Sequence, residues 1–516
     1  MKKRLHLQFP WFPKKEQVPA RKYFTRRGIL RFLKRTGIGI ISLILLFFIL
    51  NWIFPLPDKV EYSTIITDDK GEVINAFLTN DQKWRMKTEL EEISPLLQKT
   101  IVAKEDRHFY SHPGVNPFAV IRAFFSNIFH MRRMSGASTI TMQVAKMLEP
   151  GKRNIWSKTR EMFRALQLEL KYSKKEILQL YLNLVPYGGN IEGVKAASLL
   201  YFKKNPDHLS LAEITALSII PNKPGVMVPG RNNDFIVKER NRWLERFADR
   251  KVFSQKEIED ALAEPLTATR GTVPHYIPHL SYKLKKTGSD IIKTNIILNT
   301  QLKTEKLVED YIRIQRLKNI RNAAVVIIDN KTHKVITYVG SSGFYDTTDG
   351  GQVNGAAAVR QPGSTLKPLL YGMCFDEGLL TPKTVMTDVA VNFDGYAPEN
   401  YDDKFNGYVS VEYSLEHSLN IPAVKGLRFL GHEKMIQKLS NCNFRQVQKD
   451  RRKLGLSMIL GGCGTTLEEL TALFSSFANN GIYVKPTFIQ TDTVQQEVIV
   501  ISPAATFMIN EILSKV

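Results

Sequence analysis

The longest apolar stretch of the chain lies near its start. Residues 37–54 are eighteen positions without a charge, and Pro55 and Pro57 follow them. This length is near the minimum for a helix that crosses a bilayer, so the pattern predicts a transmembrane helix over 36–54. A cleaved signal peptide is the alternative. The run is longer than the apolar part of a typical signal peptide and no small-residue cleavage site follows it, which favours an uncleaved anchor.

A helical pattern dominates the next part of the chain. From about 88 to 265, apolar side chains recur three and four positions apart, for example at Met162, Ala165 and Leu166. That period predicts amphipathic helices. Prolines at 221, 224 and 229 predict a loop between two of them.

Strand patterns lie on both sides of this helical region. Residues 62–67 and 73–74 flank the turn sequence Asp68-Asp69-Lys70-Gly71, which predicts a short hairpin. Residues 295–298 predict a strand, and 323–329 and 335–340 predict two adjacent strands around a polar turn. From 321 onward strands and helices mix, and a helix is predicted over 504–513.

The positive charge of the chain is concentrated near its start. The formal net charge is +22, which taken alone could indicate a nucleic-acid-binding protein. Residues 1–35 hold twelve Lys and Arg against one acidic residue, Glu16, so half of the excess lies beside the apolar run. The positive-inside rule keeps this segment in the cytoplasm and places the residues after about 58 outside. The rest is only mildly basic, and no nucleic-acid partner is predicted.

Composition excludes several classes of protein. With 43% hydrophobic and 24% charged residues, the chain is typical of a globular protein and not of a disordered one. Its three cysteines, Cys374, Cys442 and Cys463, are far apart and form no CxxC pair. A disulfide scaffold and a cysteine zinc site are therefore not expected, and no metal site is predicted.

A first concentration of chemistry lies between residues 105 and 161. Carboxylates, a histidine, hydroxyls and cations follow one another there: Glu105, Asp106, His112, Ser138, Thr139, Lys146, Lys158 and Glu161. A carboxylate can deprotonate a sugar hydroxyl, and cations can stabilise a departing phosphate, so the set suits glycosyl transfer from a phosphate-linked sugar. Taken singly, the same residues could be an exposed helix end, a plain N-cap and a surface ion pair.

Five segments, in this order, resemble the motifs of the peptidoglycan glycosyltransferases, the lysozyme-like domain of class A penicillin-binding proteins. The first two are Glu105-Asp106-x-x-Phe109-x-x-His112-x-Gly114 and Gly136-x-Ser138-Thr139-Ile140-Thr141-x-Gln143. The third is Lys158-x-x-Glu161, and the fourth comprises Lys174-x-x-Ile177-Leu178-x-x-Tyr181-Leu182-Asn183 and Tyr187-Gly188-Gly189-x-x-Glu192-Gly193. Arg240-Asn241-Arg242-Trp243-Leu244 is a weaker match to the fifth.

The resemblance implies roles for these residues. Glu105 would be the base that deprotonates the acceptor's 4-hydroxyl, and Glu161 would assist at the leaving diphosphate or orient a cation. Lys146 and Lys158 would contact the diphosphate. Substrate binding is also implied for Asp106, His112, Ser138, Thr139, Gln143, Asn183, Glu192 and Arg240. Two positions depart from the family pattern: Met142 stands where a Gln is commonest, which is similar to the 1C-type members, and Ser157 stands where the third motif has an Arg.

A second concentration of chemistry begins at Gln361-Pro362-Gly363-Ser364-Thr365-x-Lys367-Pro368. Ser364 and Lys367 are three residues apart and share a helix face, where a lysine of lowered pKa can act as the base of a serine nucleophile. With Ser418-Leu419-Asn420, this segment resembles the penicillin-binding transpeptidase domain, an acyl-serine transferase fold. The resemblance implies that Ser418 relays a proton and that Asn420 orients the substrate amide.

The third motif of that family, Lys-Thr-Gly on a strand, is not found after Asn420. Lys286-Thr287-Gly288 precedes the nucleophile and is interpreted as a coincidence. The chain ends 96 residues after Asn420, about where that strand would follow. We therefore expect the transpeptidase half to be truncated and weakly active or inactive, because a missing central strand leaves backbone groups unpaired.

The predicted organisation is multidomain, α and α/β. It comprises a basic cytoplasmic segment at 1–35, a transmembrane helix at 36–54, a mainly α lysozyme-like glycosyltransferase domain at 60–270, a linker at 271–320 and a truncated α/β transpeptidase domain at 321–516. The family resemblance implies a single-pass protein of the bacterial inner membrane, with its catalytic domains on the outer side, that polymerises lipid II into β-1,4-linked glycan strands.

The expected partners are lipid II and the growing glycan strand, the membrane, β-lactams at Ser364 if that domain is competent, and other cell-wall synthesis proteins. No cofactor is required, although Mg²⁺ or Mn²⁺ at the diphosphate is compatible with the chemistry. Apolar residues at Phe118, Phe124, Phe125, Ile128 and Phe129 either touch the membrane or pack in the core. Two other functions remain open: a non-enzymatic membrane-anchored scaffold and a muramidase-like hydrolase.

Overall fold

A computed structural model describes residues 26–57, 60–119, 121–122, 138–152, 154–493 and 497–516. These residues form two compact units. The first comprises the chain up to Val60 together with Asp106–Leu178, and the second comprises Glu61–Glu105 together with Gln179–Val516. This division cuts across the predicted glycosyltransferase domain, since parts of residues 60–270 belong to each unit.

The helices of the described residues are, in chain order, α1 (Arg26–Ile53), α2 (Pro95–Glu105), α3 (Ile140–Leu148), α4 (Ile155–Lys171), α5 (Lys174–Leu184), α6 (Val194–Phe202), α7 (Leu211–Ile219), α8 (Asn233–Asp249), α9 (Gln255–Ala263), α10 (Pro278–Lys285), α11 (Leu298–Gln315), α12 (Lys367–Asp376), α13 (Val411–Glu416), α14 (Asn420–Leu430), α15 (His432–Asn441), α16 (Arg445–Asp450), α17 (Leu467–Phe477) and α18 (Pro503–Leu513).

The strands are β1 (Ile65–Thr67), β2 (Val73–Ala76), β3 (Trp84–Arg85), β4 (Pro186–Gly188), β5 (Ile191–Glu192), β6 (Ile291–Lys293), β7 (Val325–Ile328), β8 (Val335–Val339), β9 (Val385–Asp388), β10 (Gly407–Ser410), β11 (Ile482–Tyr483) and β12 (Val498–Ile499).

The first unit is helical in its described residues and contains the apolar helix α1. Residues Leu33–Ile53 of α1 have the length and composition of a membrane-crossing helix, in agreement with the prediction for 36–54. Residues 1–25 of the basic segment lie outside the described residues. So do Phe124, Phe125, Ile128 and Phe129 of the apolar stripe, whereas its first member, Phe118, is 85% exposed and does not pack in a core.

The second unit contains small sheets and several apolar cores. Strand β1 pairs antiparallel with β2 and parallel with β6, which confirms the predicted hairpin at 62–74. Strands β7 and β8 pair antiparallel, as their pattern predicted. The loop predicted at the three prolines lies between α7 and α8. A large apolar core surrounds α12, which buries Leu369, Leu370 and Tyr371 completely.

The strand prediction for residues 295–298 is wrong. The paired strand is β6, which ends at Lys293, and Leu298 already begins α11. Residues between them bond to three separate segments: Asn295 N to Phe488 O, Ile296 O to Asp69 N and Ile297 N to Ile336 O. The backbone groups of this apolar run bond to different segments and not to one neighbouring strand. The run therefore has the residue pattern of a strand without its hydrogen-bond ladder. The predicted linker at 271–320 also holds two helices, α10 and α11.

Candidate active sites

Glu105 is the last residue of α2. Its side chain is 13% exposed and accepts a hydrogen bond from Lys104, whose Nζ also lies 3.3 Å from Asn222 Oδ1. Burial raises the pKa of the Tyr181 and Tyr187 phenols, and the negative charge of Glu105 raises both further. Both phenols therefore stay protonated near a carboxylate that can take up a proton.

Asp106 links the residues that follow α2 to the start of α3. Its Oδ2 accepts the backbone N–H of Ile140 at 3.1 Å, and its two oxygens lie 3.1 Å from His112 Nε2. Asp106 and His112 are each 8% exposed. A carboxylate at a helix N-terminus is favoured by the helix dipole, so this pair fixes the first turn of α3.

Thr139 is the N-cap of α3, and Ser138 is not. Thr139 Oγ1 accepts the Met142 N–H at 3.1 Å and donates to Gly114 O at 2.5 Å. Gly114 has φ 82°, and a Cβ there would lie 2.8 Å from Glu169 Cγ. The glycine of the first motif is therefore required by the close approach of the chain to α4.

Ser138 belongs to a second cluster, on the exposed side of α4. Lys158 Nζ donates to Ser138 Oγ at 2.8 Å and to Glu161 at 2.5 Å. The Lys158 side chain is 51% exposed and that of Glu161 is 12% exposed. The cluster thus presents a cation to solvent, held by a hydroxyl and a carboxylate, which is an arrangement that can meet an anionic group.

Glu169 and Lys174 form a third set of contacts in the first unit, and neither was among the predicted site residues. Glu169 Oε1 accepts from Thr141 Oγ1 at 2.6 Å and from Lys174 Nζ at 2.7 Å. Lys174 Nζ also donates to His112 O at 2.7 Å. Lys174 was visible as the first residue of the fourth motif, but Glu169 has no sequence signal except its position on α4.

The other predicted glycosyltransferase residues fall into two groups. Gln143 and Lys146 lie on α3, where Gln143 is half-buried and Lys146 is exposed. Three residues of the second unit bond within the protein: Asn183 to both backbone groups of Thr88, Glu192 to Arg85, and the 1% exposed Arg240 to Glu264 O. These bonds give Asn183 and Arg240 structural roles, and contact between these three residues and a substrate stays a prediction.

The second candidate site lies at the N-terminus of α12. Lys367 is 1% exposed, and its Nζ donates to Ser418 O at 2.6 Å, to Asn420 Oδ1 at 2.8 Å and to Ser418 Oγ at 3.2 Å. Burial lowers the pKa of Lys367 to about 8. Ser364 is half-buried in the preceding 3₁₀ turn, and within the described part of the chain no hydrogen bond joins its Oγ to Lys367. The structure thus brings Lys367, Ser418 and Asn420 together, with Ser364 one turn away.

A buried carboxylate supports this second site from behind. Asp388 is fully buried and accepts hydrogen bonds from Asn400 Nδ2 at 2.9 Å and from the backbone N and Nδ2 of Asn406 at 2.9 and 2.7 Å. Asn400 Oδ1 in turn accepts the Asn420 N–H at 2.9 Å. Asp388 and Asn400 were missed from the sequence, because they lie 32 and 20 residues before Asn420 and match no quoted motif.

Two family models match the chain. Residues 70–248 match the transglycosylase family, and residues 323–516 match the penicillin-binding protein transpeptidase domain. Among curated proteins, penicillin-binding protein 1C of Escherichia coli is 36% identical over 442 residues, which cover 84% of this chain and 57% of that protein. The chain belongs to the class A penicillin-binding proteins and is 1C-like.

Two other curated relatives are also penicillin-binding proteins. Penicillin-binding protein 1F of Bacillus subtilis is 29% identical, covering 83% of this chain and 61% of that protein. Penicillin-binding protein 2D of the same organism is 30% identical, covering 84% and 65%. The chain therefore spans less than two thirds of the length of these three relatives.

In this class A penicillin-binding protein, the unusual Met142 is part of the interior. It is 3% exposed and its backbone N–H is the one capped by Thr139. A methionine there contributes apolar packing to α3. Among the described residues, no group of three or more His, Cys, Asp or Glu side chains could hold a metal ion, and the three cysteines are free and buried.

Proposed function

We propose that this protein polymerises lipid II into β-1,4-linked glycan strands. The acceptor's 4-hydroxyl oxygen attacks the anomeric carbon of the donor, its proton passes to Glu105, and the bond from that carbon to the diphosphate oxygen breaks with inversion. The observation that carries the proposal is the cluster of Lys158, Ser138 and Glu161, which offers a held cation for the departing diphosphate. The glycosyltransferase family match supports it.

Further proposals concern the surroundings of this reaction. We infer that α1 anchors the chain in the bacterial inner membrane with its N-terminus in the cytoplasm, so that enzyme and lipid-linked substrate share one surface. Other cell-wall synthesis proteins are proposed as partners. A divalent cation at the diphosphate is compatible with the chemistry but not required, since lysines can supply the positive charge.

For the second site, we propose an acyl-serine domain in which Ser364 is the nucleophile, Lys367 its base, Ser418 a proton relay and Asn420 the group that orients the substrate amide. The lowered pKa of Lys367 supports this assignment, because a neutral amine can accept the Ser364 proton. β-Lactams would acylate Ser364.

Polymerisation of lipid II by the full chain in vesicles tests the main proposal. We expect Glu105→Gln to abolish glycan synthesis, because the amide cannot take up the proton. The matched control is Glu91→Gln, at an exposed carboxylate in the same unit. Equal activity of Glu105→Gln and the wild type would contradict the assignment of Glu105.

The same assay separates the two other functions considered. A scaffold would give no glycan from lipid II with any variant. A muramidase-like hydrolase would shorten finished glycan in the absence of lipid II. The cation cluster favours the transferase, since hydrolysis between two sugars releases no phosphate.

For the acyl-serine domain, labelling with a fluorescent penicillin is compared between the wild type and Ser364→Ala. Labelling that disappears in the variant assigns the nucleophile. Absence of labelling in both, with lipid II polymerisation intact, supports the prediction of an inactive transpeptidase half.

A further inference from the structure

The membrane helix α1 is capped at its C-terminal end by two side chains of α4. Arg164 Nη1 donates to Phe54 O at 2.7 Å and to Pro55 O at 2.9 Å. Gln167 Nε2 donates to Phe54 O at 2.9 Å and to Asn51 Oδ1 at 2.8 Å. Carbonyls at the end of a helix have no donor within the helix itself. The two side chains satisfy acceptors that would otherwise need water or lipid headgroups.

These contacts are buried and mutually supported. Gln167 is 1% exposed, and the Arg164 side chain is 12% exposed. Arg164 Nη1 also donates to Gln167 Oε1 at 2.9 Å, and its Nε donates to Glu149 at 2.8 Å. Both side chains are therefore fixed in place before they meet α1, and separation of the helices would leave a buried amide without its partners.

The contacting face of α1 follows a helical period. Phe47, Leu50 and Asn51 are partly buried, whereas their neighbours Phe48, Ile49 and Trp52 are exposed. The rings of Phe47 and Phe163 lie 5.4 Å apart. Spacings of three and four place the three α1 residues on one side of the helix, toward α4. The contact also explains why a polar asparagine stands near the end of an apolar run.

Helix α4 carries the cation cluster as well as this cap. Glu161 precedes Arg164 by three residues, which is less than one helical turn and about 4.5 Å along the axis. Residues three apart are rotated by only about 60°, so Glu161 and Arg164 are neighbours on the surface of α4, whereas Lys158 and Gln167 point to opposite sides of it. A single rigid helix therefore joins the end of the anchor to the residues assigned to the diphosphate.

We propose that Arg164 and Gln167 are positioning residues that clamp the end of the membrane helix to α4 and so set the height and orientation of the Lys158–Glu161 cluster at the bilayer surface. The anchor then belongs to the glycosyltransferase fold and is not a loose tether. Only the expected change in the KM for lipid II rests on the proposed function. The contact between α1 and α4 is tested separately by cross-linking.

The kinetic test uses the full chain in lipid vesicles that contain lipid II. Arg164→Ala and Gln167→Ala should each raise the KM for membrane-embedded lipid II about tenfold while kcat changes little, because the cluster keeps its groups but loses its alignment with the membrane. The matched control is Arg160→Ala, on the same helix, whose guanidinium bonds to Glu149 and not to α1. An unchanged KM in both clamp variants would overturn the proposal.

The clamp is tested by cross-linking in the same vesicles. Phe47→Cys and Phe163→Cys, at two partly exposed positions whose rings lie 5.4 Å apart, are introduced into Arg164→Ala and treated with a short bismaleimide, which spares Cys374, Cys442 and Cys463 because they are buried. We expect the cross-link to form and to restore the KM that Arg164→Ala raises. A loss of general folding would not be repaired in this way.

The outcomes separate the two proposals. No cross-link, or a cross-linked chain whose KM stays high, overturns the clamp. If the same cross-link forms in a chain that keeps Arg164 and Gln167, and that chain makes no glycan from lipid II, the proposed function is contradicted and the clamp stands.

Discussion

The lowered pKa of Lys367 predicts how acylation of Ser364 depends on pH. Burial lowers this pKa from 10.5 to about 8, since the ammonium form loses its hydration. At pH 7 about 9% of the amines are then neutral, and at pH 9 about 91%, whereas with an ordinary lysine pKa about 0.03% would be neutral at pH 7. If neutral Lys367 takes the Ser364 proton, the rate should rise about tenfold from pH 7 to pH 9 and then level off.

The hydrogen bonds of Lys367 allow this change of protonation. A neutral amine has two N–H groups, which suffice for Ser418 O and Asn420 Oδ1, the two acceptors that cannot donate. The Ser418 hydroxyl at 3.2 Å can reverse its bond and donate to Nζ. Because the folded pKa lies below the unfolded one, the buried charge costs about 3 kcal/mol below pH 8, and this cost disappears as the pH rises from about 8 to 10.5.

The assay is the initial rate of labelling by fresh fluorescent penicillin between pH 6 and pH 10, with Ser364→Ala as the background. The shape of the profile carries the test, whatever the absolute rate. A rate that keeps rising about a hundredfold from pH 7 to pH 9 without levelling would show an ordinary lysine pKa. A flat profile would show that Lys367 is not the base, and either result would refute the reasoning.

Two further substitutions test residues that hold the two sites in place, Asp388 behind Asn420 and the N-cap Thr139 of α3. Asp388→Asn replaces an oxygen that accepts N–H groups by an NH₂ group, which should cost about 2 kcal/mol or more and slow the labelling of Ser364 by loosening Asn400 and Asn420. Its control is Asp402→Asn, an exposed carboxylate nearby, and equal labelling of both variants would contradict the role of Asp388. Thr139→Ala should remove the cap of α3, costing about 1 kcal/mol, and speed hydrogen exchange at the Met142 amide, whereas Thr139→Ser should retain protection. Unchanged exchange in Thr139→Ala would refute the capping bond.

Local patterns in the sequence determined much of this protein. The apolar run predicted α1, the turn sequence at 68–71 predicted the first hairpin, and the spacing of Lys158 and Glu161 placed both on one side of α4. The local pattern also allowed a helix end at Glu105 and an N-cap at Ser138 or Thr139, and the structure has the first and places the second at Thr139. Each of these features depends on interactions within one or two turns of the chain, so neighbouring residues suffice to specify it.

Tertiary structure decided the partners of the buried polar groups. Asp388 is connected to Asn420 through Asn400, and Glu169 meets Thr141 because α3 and α4 pack together. The run at 295–298 took its hydrogen bonds from three separate segments and so did not form the strand that its residues predicted.

The same requirement applies to three other residues. The side chains of Asn183 and Arg240, which the family resemblance assigned to substrate binding, bond to other parts of the protein. Asn51 bonds to a partner more than a hundred residues away on α4. A buried donor or acceptor must find a partner wherever the folded chain provides one. Sequence specified the groups themselves, and only the folded chain specified which of them meet.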